Sequence, residues 1–170
     1  MKSKVQRAFT QATINWSRYR NLTQSIPANI RFMVARDLKR IDSIERVSFE
    51  YPWLNDDFYV KLHEDGVLCY VVEHDGYVIA YAVIRYSGSH IEICSMAVSP
   101  DYRRQKVASL VINMLKLKLY LEKRTSIVTY VDDHNMPAQL LFSGCGFRAD
   151  KVMFDFYSQG HDAYRMVFRP

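Results

Sequence analysis

Alternation of apolar and polar positions gives way to a longer period midway along the chain, and that change marks its central element. Ile91, Ile93 and Ala97 alternate with Glu92, Cys94 and Met96 in a run rich in β-branched residues, which predicts a buried strand reaching Val98. From Arg104 onward Val107, Leu110, Val111, Met114, Leu117 and Leu121 recur at helical spacing, the stripe of an amphipathic helix. Ser99-Pro100-Asp101 ends the strand, and Tyr102 to Lys106 leads into the helix. A helix entered this way points its first-turn N–H groups, which lack partners within the helix, at whatever lies above the end of the strand. Beside Arg103, Arg104 and Lys106 the natural guest is an anion such as phosphate or pyrophosphate. A solvated basic turn before an ordinary helix has the same spacing, and the pattern alone does not choose.

The remaining elements follow from the same two periods. Ile30 to Val34 reads as a first strand, and Asp37 as the N-cap of a helix through about Phe49 whose inner face carries Leu38, Ile41, Ile44 and Val47. Glu45 falls on that stripe and reads as a boundary residue. Pro52 stops the helix within Tyr51-Pro52-Trp53-Leu54, and Asn55 to His63 forms a second, short helix. Val67–Glu73 and Tyr77–Arg85 are strands joined by His74-Asp75-Gly76, an antiparallel hairpin. Ser87-Gly88-Ser89 turns into the central strand. Ser126–Val131 is reached from that strand through the long helix, the signature of a parallel pair, so a ligand crevice is expected there. Pro137 suits the first turn of a short helix entered at Asn135 or Met136 and ended by Gly144 and Gly146. Two last strands run from about Phe147 to Phe154 and from Ala163 to Phe168.

A chain of 170 residues is the size of one domain. Its apolar runs fall far short of the roughly 18 residues a spanning helix needs, so no membrane span is expected. The net charge of +5 is uneven: five of the 23 basic residues, Lys2, Lys4, Arg7, Arg18 and Arg20, precede residue 29 with no acid among them, and the other 18 are matched by 18 acids. Residues 1–28 therefore read as a flexible basic extension and residues 29–170 as a near-neutral folded domain; a basic tail can favour nucleic acid, ribosome or a membrane surface, but a short flexible one with no partner is commoner, and nucleic acid is not the expected partner. Cys69, Cys94 and Cys145 are too few and too scattered for a disulfide framework, which suits a reducing, cytoplasmic setting. Cys69 and Cys94 read as buried small hydrophobes. The histidines at 63, 74, 90, 134 and 161 show no ligand spacing on a helix face, and no metal site is expected.

Two stretches resemble the GNAT superfamily of acetyl-CoA-dependent N-acetyltransferases. Arg103 to Ala108 is similar to its cofactor motif, in which Gln or Arg is followed by two residues, Gly, one residue, and Gly or Ala; Arg103 opens the pattern, Ala108 closes it, and Lys106 replaces the middle glycine. Asn135, Ala138, Leu141, Phe142, Gly146 and Phe147 match the later motif, with Phe142 in place of its tyrosine. The resemblance covers roughly Asn29 to Phe168. It implies an α+β, GNAT-type mixed sheet of about seven strands, mostly antiparallel, with about four helices and a splayed parallel pair at the acetyl-CoA site. The Pro52-Trp53 segment and the ending Tyr157 to Met166 are similar to the RimI-like branch, which acetylates protein N-termini, including ribosomal-protein alanine.

The resemblance also implies roles. Arg103, Arg104, Gln105, Lys106, Val107 and Ala108 would hold the pyrophosphate of acetyl-CoA, with Asn135, Ala138 and Phe142 along the cofactor. Backbone N–H groups near Met96 and Val98 would receive the developing oxyanion. Glu92 stands where several relatives place the base, and Tyr130 stands at a second base position used in the N-terminal branch; His134 and His90 are neighbours able to substitute. Because phenylalanine donates no proton, Tyr130 or water would protonate the leaving sulfur at Phe142's position, or else transfer is slow or absent. Tyr51, Trp53 and Tyr157 would line the acceptor site, taking a peptide or protein N-terminus; a small-amine acetyltransferase and a noncatalytic acetyl-CoA-binding module are the alternatives. Monomer and dimer both remain open.

Overall fold

The computed structural model describes residues 26–157 and 160–170; most of the basic extension lies outside them. Seven strands form one sheet in the order β1-β2-β3-β4-β5-β7-β6. They are β1 (Asn29–Phe32), β2 (Val67–His74), β3 (Tyr77–Ser87), β4 (His90–Val98), β5 (Ser126–Asp132), β6 (Arg148–Tyr157) and β7 (His161–Phe168), with helices α1 (Leu38–Arg46), α2 (Asn55–His63), α3 (Val107–Leu121) and α4 (Met136–Gly144). The chain divides into two compact units, the first comprising the described residues up to Arg85 and Ser95–Val111, the second the described residues of Tyr86–Cys94 and Ile112–Pro170.

In the first unit β1, β2 and β3 pair antiparallel, with a bulge in β3 at Ile79, which is skipped where Val72 and Glu73 of β2 pair with Ala80 and Val78. Asp75 and Gly76 both take positive φ, 48° and 81°, the two-residue turn whose twist matches a hairpin. Val67–Val72 and Val78–Ile84 are buried throughout, so these strands are covered on both faces and carry the core with Ile41, Ile44 and Phe58. Asp37 departs from its expected role: its side chain makes no bond to the helix. Instead it accepts both guanidinium nitrogens of Arg31, at 2.7 and 2.9 Å, and the Val34 N–H. A carboxylate beside a cation gains more from that fork than from a neutral cap. Val47 is 60% exposed, because α1 has already ended at Arg46.

In the second unit β4 and β5 run parallel, paired from His90↔Ser126 to Ile93↔Thr129; β5 pairs antiparallel with β7, and β7 with β6. Ile112, Leu115 and Leu119 of α3 are fully buried, whereas Leu121, placed on the inner stripe from the sequence, is 54% exposed at the helix's last position. β6 is an edge strand and is longer than expected. Its irregular pairing includes Asp155 at φ 50°, the kind of distortion that discourages pairing with another chain. Among the described residues no helix is long and apolar enough to cross a membrane.

Candidate active site

The strand-to-helix junction of the first unit starts later than the periodicity suggested. A 3-10 turn, Pro100–Tyr102, follows β4, and α3 opens at Val107 because Arg104 and Lys106 sit at φ 62° and 61°, which no right-handed helix accommodates. The Leu110 N–H is bonded to the Lys106 carbonyl at 3.0 Å, so the Val107 and Ala108 N–H groups precede the first full helical turn. Left-handed residues ahead of such a turn shape a concavity of backbone N–H groups suited to an anion. The glycine-like position of the motif is thus occupied by a lysine in a glycine-like conformation.

Side chains lock this junction to α1. Arg103 donates to the Val98 carbonyl and to Ser48 Oγ, both at 3.0 Å. Its guanidinium therefore holds the loop in shape, and Arg104 and Lys106 are left as the exposed cations. Arg40 donates to the Val78 carbonyl at 3.0 Å and to Ser99 Oγ at 3.2 Å, and the Ser99 N–H donates to Ile79 at 2.8 Å. Gln105 donates to the Asp101 carbonyl at 3.0 Å. Met96 and Val98, near the C-terminal end of β4, are half-buried.

Glu45 is the residue that the sequence stripe misplaced. It is 2% exposed, and its carboxylate accepts the Trp53 N–H at 3.0 Å and the Tyr81 hydroxyl. Tyr81, fully buried, meets Ser95 Oγ at 2.8 Å. Burial pushes the Glu45 carboxyl up, against the Tyr81 hydroxyl and the Trp53 N–H, which draw it down; burial likewise raises Tyr81, and the neighbouring carboxylate adds to it. A carboxylate on an otherwise apolar stripe, one residue from Ile44, was the available signal. The Trp53 ring packs on Phe58, 5.4 Å between centroids, and Phe58 packs edge-on against Tyr81 at 5.3 Å. Tyr51 is 49% exposed beside this anchored segment.

The second unit carries the other candidates. Glu92 is half-buried on β4, with Oε1 3.9 Å from Cys94 Sγ; Cys94 is itself half-buried, not the core residue expected. The Tyr130 ring stacks on Phe156 at 4.7 Å, and its carbonyl accepts the Tyr157 hydroxyl at 3.0 Å. Burial, with the Asp132 charge second, pushes the Tyr157 phenol up to about 12. Asn135 caps α4, its Oδ1 accepting the Ala138 N–H at 3.1 Å, so these two motif positions satisfy each other. Phe142 is 5% exposed and packs edge-on against Phe147.

Asp132, His134 and His161 offer ligand atoms within 4.8 Å of one another. No spacing in the sequence revealed this cluster, since His161 arrives from β7 only through its register with β5. Each ring has its own carboxylate, His161 Nδ1 lying 3.1 Å from Asp132 and His134 Nδ1 2.7 Å from Asp133. Burial pushes the Asp132 carboxyl up, but the His134 N–H and the His161 ring outweigh it and hold it below its ordinary value.

The Acetyltransferase (GNAT) family model matches residues 38–147. The chain is 31% identical over 144 residues to a putative [ribosomal protein bS18]-alanine N-acetyltransferase of Bacillus subtilis, covering 82% of this chain and 93% of that one. The ribosomal-protein-S18-alanine N-acetyltransferase from Escherichia coli superposes with a TM-score of 0.75 at 22% identity, over 84% of this chain and 94% of that one. Arabidopsis thaliana NAA60 in complex with acetyl-CoA superposes with a TM-score of 0.71 at 19% identity, over 84% and 98%.

Proposed function

The chain belongs to the Acetyltransferase (GNAT) family and is an N-acetyltransferase; from that premise we propose that it moves the acetyl group of acetyl-CoA onto the α-amino group of a polypeptide, with a ribosomal protein as a candidate acceptor. The observation that carries the cofactor half is the junction from Arg103 to Ala108, where two left-handed residues, Arg104 and Lys106, precede the start of α3. These groups fit a diphosphate: backbone N–H donors for its oxygens, and two exposed cations for its charge. Arg103 contributes through the loop's shape. The acceptor half is supported by the 31% identity to a protein named a putative [ribosomal protein bS18]-alanine N-acetyltransferase.

The residues divide the reaction as follows. The neutral amine attacks the thioester carbonyl, the C–N bond forms, and the C–S bond breaks to release the CoA thiolate. Backbone N–H groups at Met96 and Val98 receive the oxyanion. Glu92 takes the amine proton through water, and water returns a proton to the thiolate, since Phe142 cannot. An α-amine loses its proton near pH 8 against about 10.4 for a lysine side chain, so a carboxylate base suits an N-terminus better than an internal lysine. Tyr51, Trp53 and Tyr157 contact the first residues of the acceptor. Free cysteines throughout suit a reducing, cytoplasmic setting.

The test is acetyl-CoA turnover on matched peptides with free or blocked N-termini, with an internal lysine and spermidine as competitors. Turnover of the free N-terminus is expected. Preference for spermidine or for the blocked peptide would overturn the acceptor, and binding without turnover on any of them would favour a noncatalytic module. Arg104→Glu with Lys106→Glu should weaken acetyl-CoA binding most at low salt; unchanged affinity would place the diphosphate elsewhere.

A further inference from the structure

The C-terminal end of α1 and the residues just after it are joined by hydrogen bonds both to the loop proposed for the cofactor and to the segment proposed for the acceptor. Ser48 receives Arg103 at 3.0 Å. The Glu45 main-chain carbonyl accepts the N–H groups of Ser48 and Phe49, at 2.9 and 3.0 Å, while its side chain reaches Trp53 and Tyr81. Through Tyr81 the chain of bonds ends at Ser95, the residue before Met96.

A carboxylate 2% exposed, whose hydrogen-bond donors are an amide and a phenol, is an expensive way to fill a core position. Burial opposes its charge, and a leucine there would pack without that penalty. What the carboxylate supplies instead is direction: Oε1 fixes the backbone of Trp53, the residue just after Pro52, and Oε2 ties that point to the β3 and β4 side chains. Tyr51 on one side is 49% exposed and Leu54 on the other 55%, so the segment has little packing of its own beyond the Trp53 ring on Phe58.

We propose that Glu45 is a positioning residue for the acceptor: it holds the Tyr51-Pro52-Trp53 segment at a fixed height against the end of β4, and so sets how the incoming peptide amine meets the strand whose N–H groups face the thioester. This rests on the acceptor role given above to that segment. The cofactor loop has its own clamp, Arg103 and Arg40, and does not pass through the Glu45 side chain.

The experiment compares Glu45→Leu, Glu45→Gln and Tyr81→Phe by steady-state kinetics, using whichever amine the wild-type enzyme turns over, together with acetyl-CoA affinity by calorimetry and acrylamide quenching of Trp53 in a Trp16→Phe background. Glu45→Leu should raise the acceptor KM about tenfold or more, the loss of one hydrogen bond to a charged group, with acetyl-CoA affinity held within about threefold. Trp53 should become easier to quench. Glu45→Gln keeps an oxygen for the Trp53 N–H and should stay within about threefold of wild type on every parameter. An unchanged acceptor KM in Glu45→Leu, or equal losses for acceptor and acetyl-CoA, would overturn the proposal. So would a glutamine variant as poor as the leucine one. If Glu45→Leu does not fold, Tyr81→Phe decides: it removes one donor to the carboxylate, and an unmoved acceptor KM and Trp53 quenching overturn the idea. Because the amine is chosen from wild-type turnover, a preference for spermidine or lysine would sink the N-terminal reading while leaving this comparison intact.

Discussion

Lys106 occupies a backbone conformation made for glycine, and replacing it separates two effects of opposite sign. At φ 61° a lysine is disfavoured by roughly 1–2 kcal/mol relative to right-handed backbone. Glycine relieves that conflict but brings roughly 0.5–1 kcal/mol of extra chain entropy to be lost on folding. The balance is a stabilisation of about 0.5–1 kcal/mol, which for a chain of this length raises Tm by about 1–4 °C. Affinity moves the other way on the proposed reading: Lys106→Gly removes one of two exposed cations beside the diphosphate and should weaken acetyl-CoA binding about two- to fivefold at low salt, fading as salt screens the charge. Lys106→Ala is the control, because it loses the charge and keeps the strain. Its affinity should match the glycine variant while its Tm stays close to wild type and below that of the glycine variant. Thermal unfolding and calorimetry at two ionic strengths read both quantities. If the glycine variant binds acetyl-CoA several-fold tighter, the lysine obstructs the phosphate and its charge does not help. If glycine and alanine variants melt together, the left-handed backbone is not imposed by the loop.

Glu45→Gln should change how stability responds to pH. The native carboxyl holds its proton more tightly than the unfolded one because burial outweighs its donors, so wild-type stability is full below the ordinary glutamate range and falls as pH rises through the higher native value. Glutamine removes that decline, and the Tm difference should shift in its favour as pH rises above the ordinary glutamate range; a difference constant with pH refutes it. Arg31→Met leaves the Asp37 carboxylate, 5% exposed, without its fork; with Arg31 itself partly solvated the loss should be about 2–3 kcal/mol by urea denaturation, and a loss under about 0.5 kcal/mol would mean solvent already carries that charge. Phe142→Tyr puts a hydroxyl into a site 5% exposed, so Tm should drop while kcat stays within about threefold, water being the acid; a rise of about a hundredfold, the usual gain from a placed acid, would show that thiolate protonation limits the wild type.

The elements that were legible from the sequence are those whose period is long enough to speak for itself. The hairpin of β2 and β3 declared itself through two apolar runs around Asp75-Gly76, and the parallel pairing of β4 with β5 through the helix between them. Positions governed by a single backbone angle or by a distant partner were not. The apolar stripe could place α3 but not its first residue, because Arg104 and Lys106 leave the right-handed region with side chains that carry no such signal. Asp37 looked like a cap because its partner Arg31 lies on a different element. Glu45 looked like a boundary residue because its donors come from Trp53 and Tyr81, and helical spacing says nothing about either. His161 joins Asp132 only through strand register.

The two places where this chain departs from its family's motifs differ in kind, and the difference follows from what does the chemistry. A diphosphate held by N–H groups of a loop and a helix start asks the sequence for a backbone shape, and many side chains can accompany that shape: Arg103 stabilises it through Val98 and Ser48, and Lys106 tolerates the glycine conformation at a modest energetic cost. Proton transfer asks for a particular side chain at a particular point. On the proposed reading Phe142 and Tyr130 stand where the family resemblance puts proton-transferring groups, and the burden passes to solvent and to Glu92. On the proposed reading substitution in the cofactor loop therefore tunes affinity, whereas substitution at Phe142 and Tyr130 tunes the step after binding. The acceptor, whose amine must be neutral before it attacks, then makes up part of that deficit by its own low proton affinity. An N-terminal amine, titrating near pH 8, is the acceptor for which a weak carboxylate base and no dedicated acid are enough.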